Sequence, residues 1–433
     1  PPMSEIVMQL SNFAMAWRGG LVFFPAVYGK EMIAMVVNRR TILKNAMGAT
    51  TLLSAPFLMK TAALGSDPIR VGVLLDLSGP LEVLGRPKVN CVQLAAETLN
   101  AAGGVLGREL ELKIYDTQSD NQLYAQYAQQ SALRDRVAVV HGGITSAARE
   151  IVRPILSRAQ TLYFYNMIYE GGLCDRNTFV TGPTPPQLLA KLIPYMIEKF
   201  GPKIYTVAAD YNFGHDSAAS AAGIAAQHGG EIVGEEFFPL DANDFSATIG
   251  RIQQARADSV FNIFISPPQE AFYGQWAAAG LSGKIGLAGH AFGDSGEVRR
   301  LPADVVEGIT VAKNYLDEVD TPANAAFRAR YKERFPDEAV IGTLGPTDYQ
   351  GMMLWAAGVE KAGDTAREKV VEALETGLSV DGPSGAVTVD AATHHCILDV
   401  YLAEVREGRF AIQEHWAAQR PVENDDSCNL TAG

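Results

Sequence analysis

From Ile69 onward, short and nearly continuous apolar runs alternate with amphipathic helical stretches, and the alternation happens twice. A run such as Ile69–Leu75 suits a strand covered on both faces, as in a parallel sheet between two helix layers. The first series predicts further strands over 109–116, 137–141 and 161–166, with helices over 87–102, 122–134 and from about 146 to 159. The Pro/Gly-rich stretch Thr181-Gly-Pro-Thr-Pro-Pro186 then interrupts the pattern. The second series predicts helices over 187–200, 215–228, 243–256 and 268–280, and strands over 204–209, 231–238, 259–266, 284–289 and 309–315. Residues 322–335 and 347–378 read as helices. Strands over 386–389, 397–405 and 409–415 end the pattern, the last two joined at Glu407-Gly408. The expected fold class is α/β, with two doubly wound Rossmann-like lobes joined by a multi-strand hinge. Residues 67–185 with 318–378 are expected to form lobe 1, 186–317 with 379–418 lobe 2, and 419–433 a C-terminal tail.

A chain of 433 residues can bury two such cores. Its net charge of -13 argues against nucleic acid or an anionic membrane surface as the main partner. Residues 1–66 run the other way, with six Lys and Arg against Glu5 and Glu31, so this surplus of four leaves -17 for the remainder. Within them, Asn38-Arg-Arg-Thr-Ile-Leu-Lys44 precedes an apolar run to Met59 and the small residues Thr61–Ser66. That order reads as an export leader of twin-arginine type, too short in its apolar part to span a bilayer. Residues 1–34 read as an upstream extension, Met35 as a natural start, and cleavage is expected near 63–66. The expected location is the periplasm.

Catalytic patterns are missing from the sequence. No phosphate loop is present, and no Gly-x-Gly-x-x-Gly follows the first strand. Gly293-Asp-Ser-Gly-Glu297 lacks the glycine spacing of a nucleophile elbow. His394-His395 has no ligand partners at metal spacing and reads as a solvated turn. Neither an enzyme nor a cofactor is expected.

What recurs is a small, aromatic or hydroxyl residue just past a strand end. Ser78 follows the first strand, Ile144, Thr145 and Ser146 the third, and Tyr165, Asn166 and Met167 close the fourth. Asp210, Tyr211 and Phe213, then Ser266, then Asp294, hold similar places in the second series. Carboxyl ends of strands are where open α/β sheets bind ligands, so these residues are expected to line one cleft. The turn at Gly143-Ile-Thr-Ser146 is expected to start a helix whose free N–H groups, with Ser78, Thr145 and Ser146, hold a carboxylate or carbonyl oxygen. Tyr165, Tyr211 and Phe213 would cover an apolar body, with Asp210 or Asp294 available to an amino group. Of the four cysteines, Cys91 and Cys396 fall in a helix and a strand and read as buried thiols. Cys174 and Cys428 lie in loop-like segments and are the favoured pair among three possible full pairings.

Several stretches together resemble the type I periplasmic solute-binding proteins of ABC importers, the group with branched-chain amino-acid, urea and short-chain amide receptors. They are Ile69–Gly79, Leu99–Arg108, Gly143–Arg149, Tyr169-Glu-Gly171, Phe179–Pro185, Asp210-Tyr211 and Pro383–Val389, and the resemblance covers about residues 68–416. It implies a monomeric receptor that closes on a small polar solute and hands it to a membrane permease. In the amide and urea branch the ligand contacts fall by motif on Ile144, Ser146, Tyr165, Met167, Tyr211 and Phe213. Here Ile144 replaces an aromatic, Met167 a hydroxyl, and Phe213-Gly214 an aromatic-Pro-Arg segment. These departures make the expected pocket more apolar, favouring a small amide, amino acid or short carboxylate with an apolar body over urea itself. A ligand-sensing regulator of the same fold, without transport, is the alternative.

Overall fold

The computed structural model describes residues 67–338, 340–421 and 428–431, together with a two-residue strand pair, Val27–Tyr28 with Glu31–Met32. The expected leader otherwise lies outside the described residues, and so does most of the tail. Two sheets organise Gly65–Gly433. The first holds β1 (Ile69–Leu75), β2 (Leu110–Asp116), β3 (Val139–Gly142), β4 (Leu162–Tyr165) and β5 (Thr178–Val180) in the order β2-β1-β3-β4-β5, all parallel. Only Arg70 of β1 is exposed, as the unbroken apolar run requires. Helices α1 (Glu82–Ala101), α2 (Asn121–Gln129) and α3 (Ser146–Arg158) connect these strands.

The second sheet is nine-stranded. Its parallel part is β6 (Lys203–Ala209), β7 (Glu231–Phe238), β8 (Ser259–Ile263), β9 (Gly286–Gly289) and β10 (Thr310–Lys313), in the order β10-β9-β8-β6-β7. Helices α4 (Pro185–Phe200), α5 (Asn212–Gln227), α6 (Ser246–Ala255) and α7 (Pro268–Ala278) alternate with these strands, and two single-turn helices, α8 (Glu297–Arg300) and α9 (Ala303–Val306), precede β10. After α10 (Pro322–Arg334), α11 (Gly345–Ala362) and α12 (Arg367–Leu374), the chain adds antiparallel β11 (Ser379–Gly382), β12 (Gly385–Val389), β13 (Cys396–Arg406) and β14 (Arg409–Gln419). The β13–β14 turn places Glu407 at φ 52° and Gly408 at φ 68°, the paired positive angles that a twisted two-residue hairpin needs.

Lobe 1 is the first sheet with its helices, against which α10 and α11 pack through α1. Lobe 2 is the second sheet. At the crossing after β5, the Thr184 N–H donates to Gln187 Oε1 at 2.9 Å, and Gln187 Nε2 donates to the Cys396 and Gln419 carbonyls, fastening α4 to β13 and β14. One buried apolar cluster runs through lobe 1 and continues under the crossing, including Ile144, Met167, Phe213 and Ile265. A second fills the far side of lobe 2 around Phe245, Phe264, Phe272 and Trp276. Among the described residues, no helix is long and apolar enough to cross a membrane.

Four local expectations are corrected. The stretch 347–378 is two helices, because Gly363 adopts φ 65° and its N–H closes α11 onto the Val359 carbonyl. α1 begins at Glu82, with Pro87 inside it, where burial of Leu84, Val89 and Val92 outweighs the one donor that Pro lacks. Strand β5, which was not expected, lies just before the stretch read as a joint, with all three residues buried against β4. His394 and His395 are buried rather than solvated. His394 stacks on Phe179 at 4.1 Å, and His395 stacks on Tyr169 and shares a hydrogen bond with its hydroxyl.

Candidate functional site

The turn after β3 is built by two glycines. Gly142 at φ 134° lies so close to β1 that a Cβ would sit 2.2 Å from the Leu74 carbonyl oxygen. At Gly143, φ 89°, a Cβ would sit 2.6 Å from the Tyr163 hydroxyl. No side chain fits at either place, so β3 ends and the chain re-enters as α3. Thr145 caps that helix, its hydroxyl accepting from the Ala148 N–H at 3.1 Å. The Tyr165 hydroxyl donates to the Ile144 carbonyl at 3.0 Å and fixes the turn from below.

Two spaces adjoin this turn. A cleft of about 680 Å³ is bordered by Pro80, Leu81, Ser119, Thr145 and Ala147 from lobe 1, and by Tyr211, Leu240–Asn243, Pro267 and Ala271 from lobe 2. That volume suits a small organic solute. The second space is a gap of about 10 Å³, and Tyr211 borders both. Ile144, Ser146, Met167, Ile168, Tyr211, Phe213 and Ile265 enclose that gap. Apart from Ser146 and Tyr211, the residues that enclose it have apolar side chains.

The structure thus brings together Ile144, Thr145, Ser146, Met167, Tyr211 and Phe213. Tyr165 stands one layer behind, fully buried under the Arg149 guanidinium. The remaining sequence-expected residues are placed elsewhere, each for a visible reason. Asn166 is fully buried, donating to Asp348 at 3.1 Å, accepting from Thr181 at 2.7 Å and contacting His141 Nδ1. The buried Lys88–Asp348 ion pair at 2.5 Å completes that network in the interior of lobe 1. The Ser78 hydroxyl donates to Asp116 at 2.6 Å. Asp210 is exposed and faces His215 at 2.9 Å. Ser266 is buried, bonded to Glu297 at 2.9 Å and to Ser295 at 3.1 Å. Asp294 is buried against Lys313 at 2.5 Å, with Thr343 also donating to it, so neither Ser266 nor Asp294 is open to a solute's amino group.

A charged cluster beside Ser146 escaped the sequence reading. Glu170 Oε2 accepts the Ser146 hydroxyl, and Oε1 accepts from Arg149 Nη2 at 2.7 Å and from Asn212 Nδ2 at 2.8 Å. Arg149 lies over the Tyr165 and Tyr169 rings at 5.2 and 4.7 Å. Although burial opposes its charge, the nearby Tyr165 and Glu170 raise its pKa above the ordinary guanidinium value. The available signal was the Tyr-Glu-Gly motif together with an arginine in the first turn of α3. Cys174, four residues after Glu170, is disulfide-bonded to Cys428, and Cys91 and Cys396 are buried free thiols. Among the described residues, no group of His, Cys, Asp and Glu is arranged to hold a metal ion.

Two α/β lobes that both line one cleft have the architecture of two-lobed binding proteins. A family model described as periplasmic binding protein matches residues 68–409, and the chain belongs to that family, with the type I fold. The chain is 26% identical over 363 residues to a Leu/Ile/Val-binding protein homolog from Brucella suis, covering 81% of this chain and 91% of the relative. It is 24% identical to the leucine-, isoleucine-, valine-, threonine- and alanine-binding protein of Pseudomonas aeruginosa, covering 76% and 87%. Among solved structures, an ABC transporter solute-binding protein from Rhodopseudomonas palustris in complex with 3,4-dihydroxybenzoic acid is similar, with a TM-score of 0.74 and 22% identity. That match covers 82% of this chain and 99% of the other. An isoleucine complex of a branched-chain amino acid transporter substrate-binding protein from Streptococcus pneumoniae matches with a TM-score of 0.71 and 20% identity, over 81% and 99%. At those identities the two structures speak for the fold alone.

Proposed function

We propose that this chain is an extracytoplasmic solute receptor of an ABC importer, without catalytic activity. Its lobes would close on a small polar solute with an apolar body, an amino acid, amide or short carboxylate, and present it to a permease. The observation that carries this reading is the cleft that Thr145 and Ala147 of lobe 1 share with Tyr211 of lobe 2, with Ile144, Ser146, Met167 and Phe213 around the small gap on which Tyr211 also borders. A solute touching both rims favours the closed arrangement by its differential contacts, the hinge mode of ligand-driven closure. The apolar inner wall argues for a solute larger and less polar than urea. The names of the similar proteins, which mention branched-chain amino acids and a hydroxylated benzoate, agree with an apolar body carrying a polar end. Delivery to a permease, a monomeric state, a periplasmic location and export by the twin-arginine route belong to the same proposal. So does a ligand-contact role for Ile144, Thr145, Ser146, Met167, Tyr211 and Phe213.

A thermal-shift screen of branched-chain amino acids, primary amides and short aromatic and aliphatic acids tests the reading. Stabilisation by at least one of these, lost in Tyr211→Ala, is the expected result. A protein indifferent to all of them, or one that turns over the compound it binds, refutes it.

A further inference from the structure

Two opposite charges lie buried behind the end of β4. The side chains of Lys88 in α1 and Asp348 in α11 are both 0% exposed and meet at 2.5 Å. Taking two ions out of water costs about as much as their attraction returns, so apolar side chains here would hold α1 against α11 at least as well. What apolar side chains could not do is hold a backbone carbonyl. Lys88 Nζ also donates to the Asn166 carbonyl at 2.5 Å. The Thr347 hydroxyl comes within 2.8 Å of the same oxygen but shares its one hydrogen with the Leu344 carbonyl at 2.6 Å, which leaves Lys88 as the committed donor.

The Asn166 side chain is held as firmly as its carbonyl. Nδ2 donates to Asp348 at 3.1 Å and lies 3.1 Å from His141 Nδ1, while Oδ1 accepts from the Thr181 hydroxyl at 2.7 Å. Thr181 stands at the end of β5, where the chain crosses to lobe 2, and its hydroxyl also lies 3.0 Å from the Thr347 carbonyl. Close backbone approaches complete the clamp. A Cβ at Gly182, next in the crossing, would sit 2.1 Å from the Met167 carbonyl oxygen, and one at Gly351 of α11 would sit 2.3 Å from Asn166 Oδ1. Asn166 directly precedes Met167 and Ile168, which both enclose the small gap. A contact wall recognises a solute only when the groups behind it fix its position to within about 0.5 Å.

We infer that the buried Lys88–Asp348 pair positions the Met167 wall of the gap: through Asn166 it fixes the backbone from which Met167 and Ile168 project, and through Thr181 it ties that wall to the crossing after β5. This assignment rests on the receptor reading above. Lys88 and Asp348 are positioning residues, since neither lines the gap or the wide cleft.

The test separates position from stability. Lys88→Met/Asp348→Val replaces both charges with apolar side chains of comparable size, strands no lone ion, and leaves Asn166 its bonds to Thr181 and Thr347. Its melting temperature should stay within about 3 °C of wild type, whereas each single replacement strands one buried charge and should melt well below it. Leucine, 4-methylpentanamide and benzoate are titrated calorimetrically into the full chain, and the tightest binder is carried through the variants. That compound should bind the double variant about tenfold more weakly than wild type, within the range of couplings between groups of one network. In a Met167→Ala background the same double replacement should cost about twofold or less, because the wall it positions is gone. A double variant that melts and binds like wild type overturns the assignment and leaves the receptor reading intact. An equal cost in both backgrounds also overturns it, since the pair would then act elsewhere than through Met167. If the double variant does not fold, Thr181→Val carries the test, removing only one neutral bond to Asn166. Binding about threefold weaker, with no such loss after Met167→Ala, is then the expected result, and unchanged affinity overturns the assignment. Silence of all three probes on the wild type strikes at the receptor reading itself, and the assignment falls with it.

Discussion

Lobe 1 and lobe 2 end their central strands alike, with a polar residue, a tight turn and a helix start, yet the two ends serve different purposes. In lobe 1 the turn at 143–147 delivers Ile144 and Ser146 to the inner gap and Thr145 and Ala147 to the wide cleft. In lobe 2 the ends of β8 and β9 turn inward. Ser266, Gln269, Ser295 and the Gly293 N–H all converge on the buried Glu297 carboxylate, and Asp294 is closed off by Lys313. Lobe 2 contributes Tyr211 and Phe213 to the gap instead, from the end of β6. The difference lies in where the buried charge sits. Glu297 finds its partners inside lobe 2, and Asp294 pairs with Lys313 there and also accepts from Thr343 in the segment before α11, whereas Glu170 of lobe 1 accepts from Asn212 of lobe 2.

The contrast is most exposed to attack at Lys313. Lys313→Met leaves Asp294 buried without its ion partner and should cost about 3–5 kcal/mol of stability, read by denaturant unfolding. If solute affinity falls while stability holds, the lobe 2 pair belongs to the site and the contrast fails.

A smaller effect should be shared by both lobes. His141 in lobe 1 stacks on Phe164, and His290 in lobe 2 stacks on Phe213. Burial holds each at about 3, well below the usual imidazole value. Because the folded pKa is depressed, the unfolded chain takes up protons first. The contribution is therefore present above about pH 6.5 and is lost as pH falls toward 3. Between pH 6.5 and 5, each histidine should remove about 2 kcal/mol. Asp348, lifted by burial to about 6, acts in the opposite sense: the folded state binds its proton first, offsetting part of the loss between about pH 6 and 4. Melting temperatures at pH 7 and pH 5 should differ less in His141→Gln and in His290→Gln than in the wild type, by similar amounts.

At the solute itself, Ser146→Ala should weaken binding by about 1.5 kcal/mol, roughly tenfold, with little change in fold. The mirror substitution Ser266→Ala should leave affinity within about 0.5 kcal/mol of wild type, since Glu297 keeps Gln269 and Ser295 as donors. Calorimetry on the pair would erase the distinction between the lobes if both lost affinity equally.

Much of the architecture was legible because parallel strands must be apolar on both faces, which marks Ile69–Leu75 and its counterparts without an alignment. Strand β5 was hidden because three residues beside Gly182-Pro183 carry too little pattern. The helix break at Gly363 was hidden because the apolar spacing resumes beyond it. At the candidate site, position past a strand end led to Ile144, Ser146, Tyr211 and Phe213, which line the small gap, but it could not say which polar residues were already paired. Asn166, Ser266 and Asp294 look like ligand contacts in the sequence only because Asp348, Glu297 and Lys313 lie 182, 31 and 19 residues away. The same distance in sequence concealed Asn212 as a partner of Glu170.

The most direct test of the central claim is to denature the purified protein, identify any released small molecule by mass spectrometry, and titrate that compound into wild type and Tyr211→Ala. A solute with a polar end and an apolar body, bound one to one by the wild type and clearly weakened in Tyr211→Ala, is the predicted result. A released compound whose affinity is indifferent to Tyr211 would place the site outside the cleft and contradict the account.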